Sequence, residues 1–188
     1  KRYHTSLYTR ILRNTYSRFA LEHRSTFAKV FSPKTTQNEL FESFFSSMVD
    51  SLLKGINVTV IAYGQTGSGK TYTMTGDLEA EKSSRGIAPR AAEKLFECLE
   101  HRDSSILSAK IFCSVMQIYN GRVYDMLADD TMSRALKVRE RFGREVFVSG
   151  LSKYRVSNTE ELLSLLCRSD SFRKVRSTEM NDTSSRSH

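Results

Sequence analysis

The sequence predicts an α/β domain with a mostly parallel sheet, occupying residues 27–188. Three observations predict it. A short β-branched segment, apolar at both parities, runs directly into a glycine-rich loop. Helical and strand patterns alternate along the chain. The 188 residues, 39% hydrophobic and 27% charged, suffice for one ordinary domain with its own core.

Residues 1–26 form a basic N-terminal segment of uncertain structure. The first thirty residues are polar, contain neither proline nor glycine, and show only weak periodicity. After Ser32-Pro33 the pattern sharpens: Leu40, Phe41, Phe44, Phe45, Met48, Val49, Leu52 and Leu53 recur in pairs every four residues. That is one apolar helix face, with Asn38 able to cap its start and Gly55 able to turn left-handed after its end. Val58-Thr59-Val60-Ile61-Ala62-Tyr63 then reads as a buried parallel strand.

Asp77 to Ser84 is polar and predicts a surface loop. Pro89 suits the first turn of a helix whose Ala92, Leu95, Phe96 and Leu99 share one side. Ala109 to Tyr119 is apolar at both parities and predicts a central strand. Residues 136–148 predict two short strands turning at Phe142-Gly143, an antiparallel excursion. Ser157-Asn158-Thr159-Glu160 fits a capping box ahead of Leu162, Leu163, Leu165 and Leu166. No internal repeat or low-complexity tract interrupts these elements.

Composition excludes several classes. Mean hydropathy is −0.43, and no apolar run approaches the roughly 18 residues a membrane-spanning helix needs, so a soluble chain without membrane insertion is expected. No secretory signal pattern opens the sequence. Cys98, Cys113 and Cys167 are an odd count, far apart, with no C-x-x-C pair. They read as reduced intracellular thiols, which disfavours a disulfide framework or a zinc site. The net charge of +8 suggests nucleic acid, but its distribution argues otherwise: residues 1–38 carry eight Lys and Arg against Glu22 alone, and the remainder is nearly balanced at 21 basic to 20 acidic. The basicity therefore belongs to an N-terminal arm or face suited to an acidic partner, or is a solvated basic stretch.

Gly64-Gln65-Thr66-Gly67-Ser68-Gly69-Lys70-Thr71 matches G-x-x-x-x-G-K-S/T, with an apolar strand before it and helix-compatible residues after it. The glycines let successive backbone N–H groups converge on a β-phosphate at the positive end of the following helix. Lys70 would bridge β- and γ-phosphates, and the Thr71 hydroxyl would be a magnesium ligand. Many unrelated ATPases and GTPases share such a loop, so it specifies nucleoside triphosphate binding and leaves the output open.

More specific residues surround it. The stretch GQTGSGKTYTMTG, Gly64 to Gly76, closely resembles the phosphate-loop signature of the kinesin motor family. Asn181-Asp182-Thr183-Ser184-Ser185-Arg186-Ser187-His188 resembles the family's switch I motif, with Thr178-Glu179-Met180 before it. Gly86-Ile87-Ala88-Pro89-Arg90-Ala91 is similar to the family's helix start after its long surface loop. Ile118-Tyr119-Asn120 followed by Val123-Tyr124-Asp125-Met126-Leu127 is similar to its IYNE…DLL segment. All four occur in family order.

The resemblance implies a P-loop NTPase of kinesin-motor type, its central sheet flanked by helices. It implies a microtubule-stimulated ATPase that moves along or remodels microtubules, with ATP and Mg2+ as cofactors and tubulin as partner. A cytoplasmic, cytoskeletal location and homodimerisation through a coiled coil outside this chain are further implications. Carried over by position, Ser185 would reach the magnesium shell and γ-phosphate, Ser184 would help position the attacking water, Asn181 would touch the phosphate side, and Arg186 would pair with a switch II glutamate. Tyr72 is a candidate for adenine stacking. A hydroxyl-rich Ser-Ser-Arg-Ser cluster suits this chemistry, because hydroxyls order water and magnesium while a guanidinium clamps oxygens.

The sequence departs from the family in places. No R-x-R-P strand end precedes Pro33, so that segment is lost or residues 1–26 do something different. Gly121 stands where glutamate is common, Arg176 where a small residue is usual, and Lys29 where an acid often precedes V-F. Arg134, Lys137, Arg139, Arg141 and Arg144 fall on the hairpin region that in kinesins approaches tubulin, or are solvated strand faces interspersed with Glu140 and Glu145. No D-x-x-G switch II segment occurs, so the 188 residues correspond to the first half or so of a motor domain, expected to be inactive alone. The rival readings are a truncated, non-motile kinesin-like structural module and, disfavoured by the charge distribution, a nucleic-acid-associated P-loop protein. A continuation past His188 into D-x-x-G-x-E is the expected outcome of reading the full transcript; its absence would overturn the motor reading.

Overall fold

In a computed structural model, the described residues are 6–11, 22–101, 109–128, 135–143 and 145–179. Strands β1 (Ser6–Ile11) and β2 (Glu22–Phe27) pair antiparallel, Ser6 opposite Phe27 and Ile11 opposite Glu22. The basic N-terminal segment thus contains most of a hairpin that its weakly periodic sequence does not announce.

The predicted amphipathic helix forms as α1 (Gln37–Leu40), a π-helical stretch (Phe41–Phe45) and α2 (Ser46–Leu53). Its cap is Thr36, not Asn38. The Thr36 hydroxyl accepts from Glu39 N–H at 3.2 Å, and the Glu39 carboxylate accepts from Thr36 N–H at 2.8 Å, a complete capping box. Asn38 Oδ1 instead accepts from Arg90 Nη1 at 3.0 Å. At the other end Gly55 takes φ 83°, as expected past a helix C-terminus.

Helix α3 (Lys70–Met74) follows the glycine loop, and α4 (Ile87–Glu100) begins with Pro89 in its first turn. Ile87, Pro89, Ala92 and Phe96 of α4 are buried, as are Phe41 and Val49, so α4 packs on the first helical unit. Lys94 fastens that contact: its Nζ donates to Ser46 O at 2.7 Å and Oγ at 2.8 Å and pairs with Asp50 at 2.9 Å.

The central strand expected over Ala109–Tyr119 is broken at Ser114-Val115. Its halves are β3 (Ile111–Cys113) and β4 (Met116–Tyr119), and β4 forms a hairpin with β5 (Arg122–Asp125). A second hairpin, β6 (Lys137–Arg141) and β7 (Glu145–Ser149), turns at Phe142-Gly143 as predicted, and β3 pairs with β8 (Tyr154–Val156). The break arises because the two halves serve different partners. Asp125 holds the junction: its carboxylate accepts from Leu127 N–H at 2.9 Å and Ser152 N–H at 2.7 Å. Val123, Met126, Leu127 and Val156 are buried around it.

Helix α5 (Thr159–Glu179) starts one residue later than the predicted box. Asn158 Oδ1 accepts from Glu161 N–H at 2.8 Å, while the Glu161 carboxylate accepts from Ser157 N–H at 2.7 Å. Cys98, Cys113 and Cys167 are all free, and burial pushes the Cys113 thiol up, keeping it protonated. Among the described residues no helix is long and apolar enough to cross a membrane.

One further expectation needs correction. All four ladders among the described residues are antiparallel, and Val58–Tyr63, expected as a buried parallel strand, joins none of them. Ile61 is 81% exposed and Tyr63 98%. Val58, Val60 and Ala62 are half-buried, so one face of the segment is partly covered, but no described segment supplies the ladder hydrogen bonds that would make it a strand.

The loop after α3 is closed by tight backbone contact. A Cβ on Gly86 would lie 2.6 Å from Thr73 O, at a φ of −83° that any residue adopts. Gly86→Ala should therefore lower stability by about 1–3 kcal/mol through steric conflict alone. Gly121→Ala, in open space at φ 71°, should cost only about 1 kcal/mol. Thermal unfolding of the two variants checks the order.

Candidate functional site

The chain leaves Tyr63 and curls through Gly64-Gln65-Thr66-Gly67-Ser68-Gly69 into α3. Gly67 and Gly69 have φ of 79° and 86°, conformations that L side chains rarely adopt, and Gly69 in its left-handed state is the N-cap of α3. Gly64 has φ of 156°, and a Cβ there would lie 2.5 Å from Ser68 Oγ, a side chain that would have to turn aside. Ser68 N–H donates to Gln65 O at 3.1 Å, closing the turn, and Thr73 N–H to Gly69 O at 2.8 Å, starting the helix. No side chain caps α3, so the N–H groups of its first turn are left for another acceptor.

Lys70 folds back over the loop. Its Nζ donates to Gly64 O at 2.8 Å and Gln65 O at 2.9 Å. The ammonium is thereby held where an anion lying on the loop would meet it, and its protein partners are neutral carbonyls, weaker acceptors than a phosphate oxygen. Gln65, Thr66, Gly67, Ser68 and Gly69 are exposed, as are Thr71 and Tyr72, the latter at 59%. An open loop of N–H donors, an ammonium and a hydroxyl fits a magnesium-bound triphosphate in donor chemistry.

Two residues that the sequence reading missed bear on this loop. Gln37, only 5% exposed, donates from Nε2 to Tyr72 O at 2.6 Å and so ties α1 to α3. Arg173 of α5 donates from Nη1 to Thr71 Oγ1 at 3.3 Å and pairs through Nη2 with Asp170 at 2.6 Å. No spacing rule links Arg173 to Thr71, because 102 residues separate them. Asn181, Ser184, Ser185 and Arg186 lie outside the described residues. In the basic hairpin, Lys137, Arg139 and Arg141 are exposed along β6, with the Arg141 guanidinium 4.9 Å from the centre of the Phe147 ring; Arg134 and Arg144 lie outside the described residues.

The kinesin motor domain family matches residues 8–188. This chain belongs to the kinesin motor family. Kinesin-like protein KIN-14G of Arabidopsis thaliana is 42% identical over 162 residues, which are 86% of this chain and 16% of that protein. Kinesin-like protein KIF15 of Homo sapiens is 40% identical over 87% of this chain and 12% of its own length. Both relatives are therefore several times longer than the kinesin segment described here. A solved structure of a fast kinesin superposes with a TM-score of 0.82 at 37% identity, covering 88% of this chain and 46% of that one. The P-loop NTPase fold of a kinesin motor, in part, is thus the architecture around Gly64–Thr71.

In this kinesin loop the left-handed cap generates a specific expectation. Gly69→Ala should cost about 1–2 kcal/mol of stability, whereas Gly69→Asn, whose side chain tolerates the left-handed region, should cost less. Chemical denaturation of the two variants measures the difference.

Proposed function

We propose that this chain is the ATP-binding part of a microtubule-based motor whose complete form couples ATP hydrolysis to movement along, or remodelling of, microtubules. The observation that carries this reading is the Lys70 ammonium folded over a left-handed glycine loop, in a chain of the kinesin motor family. Backbone N–H groups of Gly64, Gln65, Thr66, Gly67, Ser68 and Gly69 would receive the phosphates, and Lys70 would leave its carbonyls for β- and γ-phosphate oxygens. Tyr72 would flank the base and Asn181 the phosphate side. Thr71 and Ser185 would hold Mg2+, which when bound neutralises charge on the phosphate oxygens. Ser184 would position the attacking water, and Arg186 would link switch I to a switch II acid.

The same reading treats the exposed Thr59, Ile61 and Tyr63 face of the Val58–Tyr63 segment as the face on which the remainder of the motor domain packs, so the 188 residues alone should lack turnover. It also assigns the cationic β6–β7 hairpin to the acidic microtubule surface, with Lys137 and Arg139 as contacts. The motor would work in the cytoplasm on the cytoskeleton, dimerising through a coiled coil outside this chain.

In the complete protein, Lys70→Ala should weaken Mg-ATP binding at least about a hundredfold, about 3 kcal/mol. Unchanged affinity in a fluorescent-nucleotide titration would sink the assignment. Ser184→Ala and Arg186→Ala should spare ATP binding but slow microtubule-stimulated turnover by about a hundredfold, read in a steady-state ATPase assay. Charge reversal at Lys137 and Arg139 should weaken microtubule co-sedimentation several-fold at low salt, with the difference shrinking as salt screens it.

A further inference from the structure

We infer that Gln37 is a positioning residue of the nucleotide site, one that sets the placement of the Tyr72 ring and so the contribution of the base to binding. The inference rests on the reading above, in which Tyr72 flanks the base. Helix α3 ends in an irregular turn: Thr75 N–H donates to Thr71 O at 2.8 Å, and Gly76 N–H donates to the same oxygen at 3.1 Å. In a continued helix Gly76 N–H would bond Tyr72 O instead. Asp77 N–H is drawn away as well, to Ser84 O at 3.1 Å. The Tyr72 carbonyl is thus left to a side chain, and Gln37 Nε2 donates to it at 2.6 Å.

Gln37 is fixed from its own side. It opens α1 directly after Thr36, whose capping box with Glu39 settles the helix start, and it is 5% exposed. A buried carboxamide that loses its acceptor is costly, so the bond holds the Tyr72 backbone to α1. The Tyr72 ring is 59% exposed, and its direction follows from that backbone more than from packing. Stacking depends on ring offset and distance, so a shift of the backbone weakens it. The phosphate end has its own restraint, because Lys70 is held by the Gly64 and Gln65 carbonyls. Gln37 therefore governs recognition of the base and leaves recognition of the phosphates to the loop.

The test compares Mg-ATP with Mg-tripolyphosphate, which lacks sugar and base, each competing against a fluorescent ADP analogue on the complete motor protein. The readout is the ratio of the two affinities. Gln37→Met, similar in length but without a donor, should lower the preference for ATP about three- to tenfold while tripolyphosphate affinity stays within about twofold. In a Tyr72→Ala background the same substitution should cause no further loss, the signature of an effect exerted through the ring. Gln37→Glu should be pH-dependent relative to wild type. Its protonated carboxyl donates to Tyr72 O and keeps the wild-type ratio, while the carboxylate formed as pH rises repels that carbonyl and lowers the ratio. An unchanged ratio in Gln37→Met overturns the inference, as does an equal loss for both ligands, which signifies loosening of the whole loop. Additive losses in the double variant overturn it too. Should Gln37→Met fail to fold, a ratio that falls with pH in Gln37→Glu supports the inference, and a flat one overturns it. If Tyr72→Ala itself keeps the wild-type ratio, the placement of Tyr72 at the base fails, an outcome separable from the others.

Discussion

The helix that carries Lys70 and Thr71 is five residues long and buries none of them, so its position depends on contacts made from outside it. Isolated helices of this length do not persist in water. Three tethers from distant parts of the chain compensate. Gln37 bonds the Tyr72 carbonyl, Arg173 bonds the Thr71 hydroxyl, and Gly86 presses against the backbone at Thr73-Met74. The loop's chemistry is local, but its placement is a tertiary property. Each tether enters from a different element, which means that movement in any of them reaches the loop.

Helix α4 gathers two of those elements. Lys94 docks it on α2, while Arg90 donates to the Arg85, Lys82 and Ser83 carbonyls and to Asn38. One arginine thus pins the loop after α3 and the first helical unit to the same point. The Arg85–Glu93 ion pair adds a further link. These contacts are polar and geometrically demanding, whereas the apolar packing of Phe41, Val49, Ala92 and Phe96 supplies most of the cohesion without specifying register.

Much of this was legible in the residues. The turn at Phe142-Gly143, the apolar faces of α2 and α4, and the loop with its lysine turned inward follow from glycine conformation, periodicity and capping chemistry, all short-range effects. The Thr36 cap was legible too, through Thr36 and Glu39 three residues apart, but Asn38 competed for the same role. At α5 two overlapping boxes lie one residue apart and differ only in where the helix begins; the structure uses Asn158, whose Oδ1 accepts from Glu161 N–H.

Where the sequence reading failed, the missing information was a partner. Val58–Tyr63 has the composition of a buried strand, yet among the described residues it is unpaired and exposed on its Thr59, Ile61 and Tyr63 face, because burial and hydrogen bonding are supplied by neighbours. Ala109–Tyr119 is apolar at both parities, yet it breaks at Ser114-Val115, and its halves pair with different strands. By itself the sequence determined the phosphate-loop chemistry, the family resemblance and the local turns, since each is written in residues a few positions apart. Only the tertiary structure decided which segments pair, which caps are used, and that Arg173 meets Thr71 across 102 residues, because such contacts depend on where the chain returns in space.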